Sequence, residues 1–146
     1  MPRRSSPVAF LVLAAVLGGC GSGGPAGSTG TPRTRTVPAL AARTPRAGEI
    51  LVRGDTSPLT RGPFAFDGAY DVRFAQYEPS GDTVDFAHQT AFVAALERPN
   101  AARTTAVRLF RAAAAGGRTR LTLHGRYLVD VSFGDFPFAV RFTPRR

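Results

Sequence analysis

From about Glu49 to Thr143 the chain alternates apolar and polar residues with a period of two. Tyr70, Val72 and Phe74 alternate with Asp71, Arg73 and Ala75, and Leu121 and Leu123 with Arg120, Thr122 and His124. Tyr127, Val129, Val131 and Phe133 alternate with Leu128, Asp130 and Ser132, and Phe138, Val140 and Phe142 with Ala139 and Arg141. This alternation sends successive side chains to opposite faces of an extended chain, so each run is predicted as a half-buried antiparallel strand. Gly116-Gly117, Gly125 and Gly134-Asp135 fall between the runs, where turns need them. Glu49 to Arg53 adds a further short strand.

Two stretches are open to more than one reading. Ala91 to Glu97 is either a strand with Phe92, Ala94 and Leu96 on one face, or part of a helix that groups Phe86, Val93 and Leu96. Ala101 to Ala115 can be a helix capped by Asn100 and ended by Gly116, with Val107, Phe110 and Ala114 inside. The strand reading is preferred, with Val107-Arg108-Leu109 turning through Gly116-Gly117 into Arg120-Leu121-Thr122 as a hairpin. The expected fold of residues 47–146 is therefore all-β, a single antiparallel β-sandwich of about seven short strands; the alternative is α+β with a helix near 101–115. Ten Phe and three Tyr in this region supply the core. Phe136, beside Gly134-Asp135 in the last turn, is in phase with Phe138 and is expected to close that core; the alternative is an aromatic that projects from the sandwich tip toward a partner. The order Gly-x-Tyr-x-Val (Gly125 to Val129), turn, final aromatic strand resembles the ends of small sandwich modules appended to bacterial secreted proteases. That likeness covers under forty residues and implies no activity.

The N-terminal end follows another pattern. Arg3 and Arg4 precede ten uninterrupted apolar residues, Val8 to Leu17, in the order of a secretory signal. A run of that length is about half of what crosses a bilayer. It ends in Leu17-Gly18-Gly19-Cys20, which resembles the lipobox of bacterial lipoproteins: an aliphatic residue, two small residues, then the Cys. The resemblance covers residues 1–20 and implies that 1–19 are a signal peptide removed before Cys20, that the Cys20 thiol carries a diacylglycerol, and that the new amino terminus is acylated too. Two or more acyl chains anchor stably where one binds marginally. Cys20 is the only Cys in the chain, at the one position where lipidation needs it.

Composition adds a tether. Residues 21–46 hold five Gly, four Pro, two Ser and five Thr and no acid. A segment of this kind buries no core, so 20–46 is expected to be a disordered leash on the lipidated Cys. The formal charge of +9 suggests nucleic acid until it is located. The span Glu49 to Thr143 holds eleven Arg against all ten acids, so the excess belongs to the flanking segments. No nucleic-acid partner is expected. The tether's Arg33, Arg35, Arg43 and Arg46 either lie on an anionic leaflet or keep the leash soluble.

The candidate chemistry is sparse. His88 with Asp85 and His124 with Asp130 are the acid–base pairs available to a hydrolytic mechanism. No Ser occupies a G-x-S-x-G elbow, and Cys20 is taken by lipid. Two His and one Cys build no Cys/His zinc site. No enzyme activity, cofactor or metal is expected. Arg53-Gly54-Asp55 spells an integrin-recognition tripeptide, but composition alone yields roughly 0.1 occurrences, and Gly-Asp after a strand is ordinary turn chemistry. The reading from sequence is a lipoprotein held on the extracytoplasmic face of the cell membrane through Cys20. Its domain would be a non-catalytic module that binds an envelope protein or small ligand; a solute carrier with an apolar cavity is the alternative.

Overall fold

The computed structural model describes residues 37–78, 84–88, 91–101 and 105–146. Six strands follow one short helix: α1 (Ala39–Ala42), β1 (Ile50–Gly54), β2 (Leu59–Gln76), β3 (Phe92–Glu97), β4 (Val107–Ala112), β5 (Gly116–Phe133) and β6 (Phe138–Pro144). All pairings are antiparallel, in the order β1-β6-β2-β5-β3-β4. The all-β expectation holds.

The sheet folds over on itself. In a flat sheet β3 and β6 would lie three strand spacings apart, roughly 14 Å. Yet the rings of Phe92 on β3 and Phe138 on β6 are 5.4 Å apart, and Phe74 on β2 stacks on Phe92 at 4.5 Å and meets Phe110 of β4 at 4.6 Å. The two long strands make this possible by serving both layers. The Tyr70–Gln76 half of β2 pairs with β6, and the Leu128–Phe133 half of β5 pairs with β3. Gly68 (φ +113°) and Gly125 (φ +104°) lie near the middle of these strands, Gly125 opposite Phe66. Nothing lies within 4 Å of where a Cβ would sit on either, so the backbone angle alone calls for glycine. The enclosed core contains Phe66, Val72, Phe74, Phe92, Leu96, Val129, Val131, Phe138, Val140 and Phe142.

Among the described residues the strands number six, in keeping with about seven; Gly125 lies within β5 without ending it, and Gly116-Gly117 begins β5. Several expectations are corrected. β4 pairs with β3 and not with β5, so the expected hairpin through Gly116-Gly117 does not form. The 101–115 region is a strand from Val107, and residues 102–104 lie outside the described residues. Phe92, Ala94 and Leu96 do share the buried face of a strand. Phe133, expected inside with Val131, is 43% exposed. Val93 and Ala94 face Phe133 and Val131, so β5 carries one extra residue, Ser132, and this bulge inverts the phase of the side chain after it.

Residues 37–46, expected as the end of a leash, are folded onto the domain as a strap. Ala41 in α1 is buried, and the Ala41 and Ala42 amides donate to the Pro38 carbonyl. The remainder of the expected tether lies outside the described residues.

Candidate functional site

The strand register assembles a charged face that no single strand displays. Arg73 on β2 sits directly opposite Arg118 of β5 on one side and Arg141 of β6 on the other. One pair along, Asp71 lies between Arg120 and Thr143. Directly opposed residues have Cβ atoms about 4.5–5.5 Å apart, and like charges so placed repel. Three arginines in one row therefore call for counter-charge.

Two carboxylates supply part of it. Asp71 accepts from Arg118 Nη2 at 2.8 Å and from Arg120 Nε at 3.0 Å. Partial desolvation raises the Asp71 pKa, but the hydrogen bonds and positive charge of Arg118 and Arg120 outweigh it and hold the carboxyl below its ordinary value. Glu49, in the link from the strap to β1, takes Arg141. Arg141 Nη1 donates to Glu49 Oε2 at 2.7 Å, its Nε and Nη2 donate to the Leu40 carbonyl at 3.0 and 2.9 Å, and Nη2 also reaches the Arg43 carbonyl. Glu49 further accepts from the Arg46 amide, the Arg43 guanidinium and the Thr143 hydroxyl. Its pKa is lowered, first by the Arg46 N–H, against the opposing effect of burial, with Thr143 and Arg141 assisting. Arg141 thus staples the strap to the sheet, satisfying carbonyls that a four-residue helix leaves open.

Between strap and sheet lies a cleft of about 360 Å³ lined by Ala39, Leu40, Arg43, Asp71, Arg73, Arg141 and Thr143. Arg73 is exposed on its wall and makes no ion pair or hydrogen bond with any described residue. It is the middle arginine of the row, and Asp71 and Glu49 are both committed elsewhere. The arrangement can accept an anion.

The residues singled out from sequence fall elsewhere. Leu17, Gly18, Gly19 and Cys20 lie outside the described residues. His88 Nδ1 is 2.8 Å from Asp85, with both side chains open to solvent. His124 pairs with Asp67 across the β2–β5 ladder at 2.8 Å, and not with Asp130, which accepts from Thr60. Among the described residues no three His, Cys, Asp or Glu side chains group as metal ligands. Gly54 of the Arg53-Gly54-Asp55 tripeptide ends β1, and a Cβ there would meet the Phe138 ring at 2.5 Å. The glycine thus has a packing reason of its own. Phe136 is half-buried, edge-on to Phe86 at 5.3 Å, and lies outside the main core cluster it was expected to close.

Sequence reasoning missed Arg73 and the Arg141–Glu49 staple. The signal was present only as register, since Arg73, Arg118 and Arg141 are far apart in the chain and their charges vanish into a nearly neutral domain total. Comparison with protein-family profiles, with curated proteins and with solved structures finds no match for this chain.

Proposed function

We propose that this chain is an exported lipoprotein, anchored by acyl chains on Cys20 at the extracytoplasmic face of the cell membrane and presenting its β domain as a non-catalytic binding module. The anchor reading rests on Leu17-Gly18-Gly19-Cys20 at the end of the apolar run Val8 to Leu17, with no second Cys in the chain. One observation carries the binding reading: the strap cleft is lined by Arg73, a guanidinium without a counter-ion among the described residues, in a row of three arginines. The two His–Asp pairs are solvent-exposed, which favours binding over acid–base chemistry as the use of this surface. The tested quantity is the intact mass and membrane partitioning of the chain made in a lipoprotein-processing bacterium, beside Cys20→Ala. A mature chain that begins at Cys20, carries acyl mass and leaves the membrane when Cys20 is replaced is the expected result. A soluble chain without lipid overturns the anchor.

A further inference from the structure

We infer that the cleft between the strap and the outer face of β2 and β6 binds a phosphate group, with Arg73 as its principal ligand and Arg43 and Arg118 beside it. The inference deepens the binding-module reading and does not depend on lipid at Cys20.

Charge is the first argument. Arg43, Arg73, Arg118, Arg120 and Arg141 surround Asp71 and Glu49, so five guanidinium groups face two carboxylates. A single carboxylate ligand would offset one of the three remaining charges. A phosphate monoester carries about −1.5 to −2 and three strong acceptor oxygens.

Donor geometry is the second. Arg141 has committed its Nε and both terminal nitrogens to Glu49 and the strap carbonyls, so it holds the wall in place and offers little to a ligand. Arg73 spends none of its five donors on a described residue. Arg43 and Arg118 each spend only Nη2 on a carboxylate and retain donors. Arg43 of the strap and Arg73 of β2 both line the cleft, and Arg118 lies opposite Arg73 on the β2–β5 ladder; donors from more than one side chain suit a tetrahedral oxyanion better than a planar one, which is served by a single fork. Size is the third argument, because about 360 Å³ lies within the range of ligand sites. Ala39 and Leu40 give the cleft an apolar wall for whatever the phosphate is esterified to.

The phosphate can belong to a lipid headgroup or to a soluble ester, and the test separates them. The full-length Cys20→Ala chain, which has no thiol to acylate, is titrated with inorganic phosphate and glycerol 3-phosphate while the Arg73 Nε–H resonance is followed. It is also sedimented with phosphatidylcholine vesicles made with and without phosphatidic acid, whose headgroup is a phosphate monoester. Saturable movement of the Arg73 signal by the soluble phosphates, or sedimentation that requires phosphatidic acid and is lost in Arg73→Gln, supports the site and names the source. Arg73→Gln is expected to weaken that binding by about tenfold or more, Arg73→Lys by less because the charge remains but the fork is lost, and Arg111→Gln on β4 not at all. Binding that is equal in Arg73→Gln and Arg111→Gln overturns the site while leaving the domain a binding module. Absence of binding in every arm overturns the inference and leaves the Cys20 mass result standing by itself.

Discussion

Glu49 and Arg141, 92 residues apart in sequence, form an ion pair at 2.7 Å with side-chain exposures of 4% and 6%. Removing two charges from water costs several kcal/mol each, and the pair is tolerated because the strap carbonyls, the Arg46 amide and Thr143 occupy the remaining donors and acceptors. Breaking one side leaves the other charge buried and alone. Arg141→Ala and Glu49→Ala are each expected to cost about 3–5 kcal/mol in urea unfolding. The double replacement should cost less than the sum, the mark of direct coupling.

The same pair makes stability depend on acid. A carboxylate whose folded pKa lies below its ordinary value favours the folded state above that ordinary value, here 4.5 for Glu49 and 3.8 for Asp71. The contribution disappears as pH falls through the lowered folded values. Urea midpoints should be flat from neutrality to about pH 5 and decline below it. Glu49→Gln should start lower at neutral pH and decline less steeply.

Gly125 separates backbone angle from space. At φ +104°, with nothing within 4 Å of where a Cβ would sit, Gly125→Ala meets no steric neighbour and is expected to lose about 1–3 kcal/mol through backbone strain alone. Gly54→Ala puts a methyl against the Phe138 ring and should perturb the aromatic near-ultraviolet signal, which Gly125→Ala should spare. Thermal melts with near-ultraviolet circular dichroism distinguish the two.

Asp71→Asn tests the cleft from the opposite direction to the loss of Arg73. It frees Arg118 and Arg120 from their counter-ion and leaves the wall more positive by one charge. Phosphate affinity should rise, roughly fourfold at low ionic strength, and the gain should shrink in salt as screening shortens the reach of the field.

The alternation of Tyr70, Val72 and Phe74, and of Phe138, Val140 and Phe142, was enough to announce strands and to say which side chains face inward. Pairing partners were not, because alternation fixes a face and leaves the neighbour open. β4 therefore pairs with β3, where proximity in sequence suggested β5. Gly125 reads as a turn in any local window; that it bends one continuous 18-residue strand depends on the ladder to β2. Ser132 carries no sign that it is an extra residue, and only its partners Val93 and Ala94 reveal why Phe133 faces water. The cleft was the least legible feature, since Arg73 gains its meaning from Arg118 and Arg141, which a register between distant segments places beside it.

The staple at Arg141 also decides how the domain answers to pulling. β1 is an edge strand, joined to β6 alone, and the chain reaches it through the strap. Tension from the N-terminal side therefore arrives first at the Leu40 and Arg43 carbonyls gripped by Arg141, and then at Glu49. Those contacts form a mechanical fuse: drag from that side would release the strap, and with it one wall of the cleft, before it could unzip β1 from the sheet.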